Sequence, residues 1–420
     1  MEIASSLGYK KGVDVHMYKP KKILLCFLIL VLVGVYPGCA KSEMSSVPKP
    51  SLEEEFVDGQ LDFSFSVFQE LVEEEETKSI FISPLSISMA LSMAMNGAKG
   101  QTRQEMMEAL SLKDLDLQLV NESYAHLYEY INAQTSHREL LLKNSLWIRE
   151  GEILQQDYLD LVQQDYQAYI DYLDFGQDDA ADTMNGWIEE ATKGKITDML
   201  APPLPPEAVL YLINAIYFKS DWQHEFAKED TFEAEFTMED GSMASVDMMK
   251  QTRTVLYMEE EGLQAIDLPY QDETTSMIFL LPRENQSIDS LIDQLDTTYF
   301  RQVLESLRPT DDLIVQIPKF KMEYGVKNIN QVLQNLGMIK AFQDSADFSG
   351  MRDGLYISRV LHKAFIEINE QGSEAAAATV VEMLESSMQE PLVFRADHPF
   401  VFIIYEKETD TILFIGKYNM

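Results

Sequence analysis

The sequence predicts a single mixed α+β domain over residues 55–420. Apolar residues recur at helical spacing between residues 56 and 110, and short apolar runs typical of buried strands follow from residue 140 onward. No repeat, low-complexity tract or second linker interrupts the span, and 46% apolar residues suffice for a large core. A single domain is the simplest interpretation, although a chain of this length could also form two domains.

Five helices are predicted from spacing and punctuation. In the first, Leu61, Phe65 and Phe68 repeat at intervals of three and four residues, which places them on one face. Gly97 and Gly100 separate the second helix from the third. The predicted ranges are 56–72, 83–96, 101–110, 287–295 and 328–336.

Strands dominate the second half of the predicted domain. Uninterrupted apolar runs indicate strands that are buried on both faces. The last two runs flank a charged turn predicted at residues 406–410. The predicted strands include residues 140–142, 209–213, 276–281, 400–405 and 411–416.

The first 54 residues predict an exported chain with a tether. A basic segment, Lys19–Lys22, precedes thirteen apolar residues, which is typical of an export signal over residues 1–38. Because Met17 directly precedes the basic segment, residues 1–16 could lie upstream of the true start. The Pro37-Gly38-Cys39 end resembles a bacterial lipobox, although Tyr36 replaces the usual aliphatic residue. Lipidation at Cys39, ordinary signal cleavage and a retained anchor remain alternatives.

Residues 39–54 are predicted to tether the domain to that anchor, because small polar residues and prolines dominate them. With lipidation, the expected location is extracellular or in the cell envelope, as an outer-membrane lipoprotein of a bacterium. Only two cysteines occur, Cys26 and Cys39, and both precede the domain, so no disulfide framework is expected.

The composition disfavours anionic partners. Lysine and arginine total 33 against 70 aspartates and glutamates, so the net charge is -37. Such a surface repels phosphate backbones and anionic headgroups, which excludes nucleic acid and heparin-type polyanions as expected partners. We expect a monomer that meets a membrane only through an N-terminal lipid.

Catalytic constellations are missing from the sequence. The six histidines include no His-Glu-x-x-His pair and no spacing typical of a metal site. There is no Gly-x-Ser-x-Gly elbow, phosphate-binding loop or dinucleotide fingerprint. The sequence therefore predicts no metal, no cofactor and no enzyme; a hydrolase built on Ser83 and His362 is the remote alternative.

Residues 367–394 have an unusual pattern. With a strand period of two, the odd positions from Ser373 to Met383 carry no charge, while Glu374 and Glu382 fall on the opposite face. Alanines at 375–378 are poor strand formers, but their small side chains suit a segment that slides between two strands. Gly372 can act as a pivot before them. The alternative is a surface helix over residues 374–385 capped by Ser373.

Motifs in family order over residues 55–420 resemble the serpin family. They are Ser-Pro-Leu-Ser-Ile at 83–87, Asn-Gly-Ala-Lys-Gly-Gln-Thr at 96–102, Asn-Ala-Ile-Tyr-Phe-Lys-Ser-Asp-Trp at 214–222, Leu-Pro-Tyr at 268–270, Ile-Pro-Lys-Phe at 317–320, His-Lys-Ala at 362–364, the stretch from Glu370 to Thr379, and Asp-His-Pro-Phe at 397–400. The resemblance implies about nine helices, three β-sheets and a reactive-centre loop held outside sheet A. It also implies a single-use inhibitor that traps a protease when its cleaved loop inserts into that sheet.

The resemblance assigns roles to three groups of residues. Ser83, Ser86, Asn214 and His362 match a polar cluster beneath the centre of sheet A. Lys319 and Trp222 match the gate at the top of the sheet, where Glu370 is the acidic partner of Lys319 in an exposed pair. The loop hinge comprises Glu370, Gly372, Ser373, Glu374, Ala375, Ala376, Ala377, Ala378 and Thr379.

The resemblance gives three candidates for the scissile bond. The family spacing from Gly372 points to Ser386-Ser387, but the interval to Pro399 is longer than the common one, so Leu384 and Met388 remain candidates. None is arginine or lysine, which favours serine proteases with elastase-, subtilisin- or chymotrypsin-like specificity, and cysteine proteases as a second class. The alternative function is a non-inhibitory serpin that acts as a carrier or chaperone.

Overall fold

The computed structural model describes residues 48–75, 77–133, 137–283, 286–373 and 391–420. Nine α-helices lie within these residues: α1 (Glu54–Glu74), α2 (Pro84–Gly97), α3 (Gly100–Ala109), α4 (Leu117–Ile131), α5 (Gln156–Asp165), α6 (Ala180–Ala191), α7 (Ile288–Asp293), α8 (Thr297–Ser306) and α9 (Asn330–Asn335).

Fifteen strands lie in the same described part of the chain. They are β1 (Ile80–Ile82), β2 (Arg138–Arg149), β3 (Tyr169–Leu173), β4 (Leu210–Asp221), β5 (Phe232–Thr237), β6 (Met243–Glu259), β7 (Leu263–Pro269), β8 (Thr275–Pro282), β9 (Arg308–Pro318), β10 (Phe320–Asn328), β11 (Leu361–Ile368), β12 (Gly372–Ser373), β13 (Val393–Arg395), β14 (Phe400–Glu406) and β15 (Thr411–Tyr418).

Side-chain caps fix the start of two helices that the sequence predicts. The Ser83 side chain accepts a hydrogen bond from the Ser86 amide, and Pro84 occupies the first turn of α2. Ser287 caps α7 in the same way through the Ser290 amide. These caps satisfy amides that have no partner inside the helix, so both helices begin where the sequence indicates.

The largest sheet has nine strands, in the order β1-β15-β14-β8-β7-β6-β9-β13, with β5 paired to β6. Every residue of β8, β14 and β15 is buried, as their continuous apolar runs predict. Helices α1 and α2 both contact β15. Phe81 stacks on Phe414 with ring centroids 5.1 Å apart, which ties β1 into the same core.

The other two sheets lie side by side and carry the candidate site. One has the order β12-β4-β2-β3, and the other pairs β10 with β11. Strands β2 and β4 are antiparallel over a long register, from Arg138 opposite Ser220 to Ile148 opposite Leu210.

The α+β class with nine helices is confirmed, and the described strands form three sheets. The charged turn expected at 406–410 is wrong at its first residue. Glu406 belongs to β14 and is fully buried, because its carboxylate accepts hydrogen bonds from the amide and hydroxyl of Thr409. Within the described ranges, no helix is long and apolar enough to cross a membrane.

Candidate functional site

A slot lies between β4 and β11. These neighbouring strands belong to separate sheets, and no ladder joins them within the described residues. Ile216 and Phe218 line the slot from β4, while Phe365 and Glu367 line it from β11. The floor includes Phe81, Ile404 and Phe414 from the large sheet, and Ser373 lies at one end. Strands β4 and β11 thus form two walls of the slot, and apolar side chains of the large sheet form part of its floor.

The hinge enters the slot directly after β11. The chain reverses at a bridge between Asn369 and Gly372, and Gly372 and Ser373 then pair antiparallel with Asp221 and Ser220 of β4. Gly372 has φ of +144°, and a Cβ there would lie 2.7 Å from the Asp221 Cα. Only glycine tolerates both the backbone angle and this close approach.

Ser373 belongs to β12 and is only 3% exposed, so the chain is paired with β4 up to the last described hinge residue. The alternative helix over residues 374–385 lies outside the described residues. The remaining hinge and reactive-bond candidates lie outside the described residues: Glu374, Ala375, Ala376, Ala377, Ala378, Thr379, Leu384, Ser386, Ser387 and Met388. Cys39 lies outside them as well.

Trp222 holds the turn that carries the hinge. Its indole Nε1 donates to the Asn369 carbonyl at 3.0 Å, and its backbone amide donates to the Gln371 carbonyl at 2.7 Å. Tyr270 lies against it, with ring centroids 4.7 Å apart and planes inclined by 5°. The Tyr270 phenol oxygen is 2.9 Å from the Ser373 hydroxyl. Aromatic stacking and hydrogen bonds therefore fix the position of the turn formed by residues 369–373.

Glu370 lies at the base of the hinge and pairs with Lys319 at 3.1 Å. Its carboxylate also accepts a hydrogen bond from the Thr231 hydroxyl at 2.9 Å. The expectation of an exposed pair is wrong for the acid, whose side chain is 6% exposed. Burial raises the pKa of Glu370, but the backbone, Thr231 and Lys319 together more than offset this and leave the pKa below its ordinary value.

The four residues of the predicted polar cluster contact one another. The Ser86 hydroxyl donates to Asn214 Oδ1, and the Ser83 amide donates to His362 Nε2 at 3.2 Å. The cluster thereby links the start of α2 to β4 and β11. Burial lowers the pKa of His362 to about 4, so the ring is neutral and Nε2 can accept. Their role in opening the sheet stays a prediction.

Two members of the site were missed by the sequence reasoning. Asn144 of β2 accepts a hydrogen bond from Asn214 Nδ2 at 2.6 Å and donates to the Tyr166 carbonyl at 2.6 Å. A single amide within a buried strand was the available signal, because such groups require a partner. Thr231 gave no signal, because its contact with Glu370 spans 139 positions of the chain.

The described residues of the site do not form a metal-binding or nucleophilic set. No set of three or more histidine, cysteine or acidic side chains in the described ranges could hold a metal ion. Ser83 uses its hydroxyl as a helix cap, and His362 contacts its amide rather than the hydroxyl. The remote alternative of a nucleophilic serine therefore lacks the required hydrogen bond to a base.

Comparison with known proteins gives the family. Residues 58–420 match the model of the family described as "Serpin (serine protease inhibitor)". An uncharacterized serpin-like protein of Thermococcus kodakarensis is 37% identical, covering 88% of this chain and 87% of that protein. Intracellular coagulation inhibitor 2 of Tachypleus tridentatus is 35% identical, covering 81% of this chain and 86% of that protein.

A solved structure gives the same result for the fold. The native state of the thermophilic serpin tengpin superimposes with a TM-score of 0.81 and 31% identity, covering 89% of this chain and 96% of that one. Family match, relatives and architecture agree over the same residues. This chain belongs to the serpin family.

Proposed function

We propose that this chain is a suicide inhibitor of serine proteases, with cysteine proteases as a second target class. The observation that carries the proposal is the register of Gly372 and Ser373 on β4, beside a slot between β4 and β11 that no ladder closes within the described residues. A strand that continues from Ser373 in the same direction would run between β4 and β11.

In the proposed reaction the protease completes acylation by the loop but not the hydrolysis that would end its turnover. The protease nucleophile bonds to the scissile carbonyl carbon, the peptide C–N bond breaks, and the new amine takes a proton and departs. The chain upstream of the break remains bound to the protease as an ester or thioester. Insertion of residues 374 onward then carries the protease along the sheet before water can hydrolyse that bond.

The sequence of the loop fits this insertion. The odd positions from 373 to 383 are uncharged and would face the apolar floor, while Glu374 and Glu382 would face solvent. Ser373 already has the buried orientation that this parity requires. The fold therefore supports the proposal at the one inserting side chain that the structure describes.

The target class follows from the loop sequence. No arginine or lysine occurs between residues 374 and 394. A primary pocket that accepts small or apolar side chains suits Ser386-Ser387, Leu384 or Met388. We propose elastase-, subtilisin- or chymotrypsin-like proteases as targets. The name of the Tachypleus relative, a coagulation inhibitor, supports inhibition in general.

Incubation with a panel of such proteases tests the proposal. We expect a complex that survives boiling in detergent, and mass spectrometry of the loop fragments would identify the cleaved bond. Cleavage without any stable complex across the panel, together with an unchanged melting temperature after cleavage, would instead favour a carrier or chaperone.

We also propose that the protein is exported and held at a membrane through Cys39. The basic and apolar segments before Cys39 support this. The intact mass of the protein isolated from its own cells should correspond to a chain that begins at Cys39 and carries acyl groups. A mature chain that begins elsewhere would contradict the lipid anchor and leave ordinary export.

A further inference from the structure

Tyr270 directly follows β7 of the large sheet and places its phenol against the hinge. It forms an isolated bridge with Trp222, just beyond β4. The side chain is fully buried, stacked on Trp222 and packed edge-on against Phe218 at 5.1 Å. Rings packed in this way have little freedom, so the position of the phenol oxygen is fixed before the hinge arrives.

Ser373 is the partner of this fixed phenol. The two oxygens are 2.9 Å apart, and either can donate. Within the described residues, no other hydrogen bond to the Tyr270 phenol is present. Because burial raises the pKa of Tyr270, the phenol remains protonated and neutral at ordinary pH. Without Ser373, its hydroxyl would be a buried polar group with an unmet hydrogen-bonding requirement.

We infer that Tyr270 is a positioning residue that holds Ser373 in the register from which loop insertion continues. The inference rests on the proposed function. Insertion must be faster than hydrolysis of the bond between protease and loop. Because Gly372 and Ser373 are already paired with β4, the first step of strand insertion is complete before cleavage. The phenol makes this pairing more stable than two backbone residues alone would be.

Hydrogen exchange of the uncleaved protein tests the positioning itself. The Gly372 and Ser373 amides should be protected, and Tyr270→Phe should speed their exchange about fivefold, which is the factor for one buried hydrogen bond. Ser373→Ala removes the other partner, and the double variant should match the single variants rather than sum them. Equal exchange in wild type and Y270F would overturn the inference.

Tyr158→Phe is the matched control. Tyr158 is also buried, and its phenol has no hydrogen-bond partner in the described part of the chain. It lies in α5, away from the hinge. Loss of its hydroxyl should leave exchange at Gly372 and Ser373 unchanged, which separates a local effect from a general loss of stability.

Partitioning on a protease that the wild type inhibits gives the second readout. Y270F should be cleaved at the wild-type rate, but the ratio of cleaved, inactive protein to trapped complex should rise about fivefold. An unchanged ratio, with faster exchange, would show that the hydrogen bond is structural only and would contradict the inference. If wild type forms no complex with any protease, the proposed function fails, while hydrogen exchange still decides the position of Ser373.

Discussion

The hinge and the polar cluster are stabilised by different chemistry. At the hinge, Glu370 and Lys319 form a charged pair beside a stacked Trp222 and Tyr270. Along the same strands, the polar cluster uses neutral contacts, because His362 is buried with a lowered pKa and Asn214 bonds to a hydroxyl and an amide.

This difference suggests that the hinge and the polar cluster have different roles. A charged pair with a fixed geometry suits a contact that holds one position, since its loss leaves a buried charge unpaired. Neutral hydroxyl, amide and imidazole groups can exchange partners at lower cost when strands separate. We expect the hinge end to set where insertion begins and the polar cluster to set how readily the strands part.

The largest effect is expected from Ser373→Glu. A carboxylate would replace a side chain that is 3% exposed and faces the slot, and a buried charge without a partner is strongly disfavoured. The variant should be cleaved by the protease but form no detergent-stable complex. Gel electrophoresis after incubation measures both outcomes.

Leu392→Glu is the control for this variant. Leu392 follows the loop at its C-terminal end and is 50% exposed, so a carboxylate introduced there remains in solvent. It should inhibit as wild type does. Full inhibition by S373E would show that Ser373 need not enter the sheet, which would contradict the role of the hinge.

A smaller effect is expected from protonation of His362. Its pKa of about 4 lies below the ordinary value of 6.5, so folding favours the neutral ring. The resulting stability is fully present above pH 6.5 and declines as the pH falls towards 4, by an amount on the order of 3 kcal/mol. Denaturant unfolding at pH 7 and at pH 4.5 measures the difference.

His362→Gln should lose this part of the pH dependence, because glutamine does not titrate. The exposed His126 provides the comparison, since His126→Gln should keep the wild-type slope. The same pH slope in wild type and H362Q would show that the polar cluster does not depend on a neutral imidazole.

The smallest effect is expected from Glu370→Gln. The amide keeps the shape but loses the charge that pairs with Lys319, and we expect the free energy of unfolding to fall by about 1–2 kcal/mol at pH 7. Because the folded pKa of Glu370 is lowered, the loss should vanish as the pH falls and the wild-type carboxylate protonates. Thermal unfolding at pH 7 and at a pH below the folded pKa of Glu370 checks this.

Glu323→Gln offers a matched comparison. Glu323 pairs with Lys363 at 3.1 Å, but its side chain is 56% exposed, and exposed pairs contribute little to stability. Equal effects of E370Q and E323Q would mean that burial of the hinge pair has no consequence.

The sequence predicted the elements where local rules decide them. Ser83 and Pro84 predict the start of α2, and the continuous apolar run of β8 indicates a strand buried on both faces. The order of the motifs predicted the fold and the four residues of the cluster. Their mutual contacts, which link residues up to 279 positions apart, come from the fold and not from any local signal.

The burial of Ser373 and Glu370 could not be predicted from the sequence for a related reason. The family resemblance placed both residues at the base of the loop and implied an exposed pair for Glu370, without the contacts that bury them. The structure buries them because Trp222 and Tyr270 provide a stacked support and Thr231 provides a donor. None of these three residues is near the hinge in sequence, so spacing alone could not reveal the support.

Hydrogen exchange of the cleaved protein tests the central claim most directly. After cleavage in the loop, the backbone amides of residues 373–383 should become protected together, as expected for a strand paired on both sides between β4 and β11. The melting temperature should rise in parallel. If residues 374–383 exchange as fast as a free peptide after cleavage, insertion does not occur and the proposed inhibitory mechanism is contradicted.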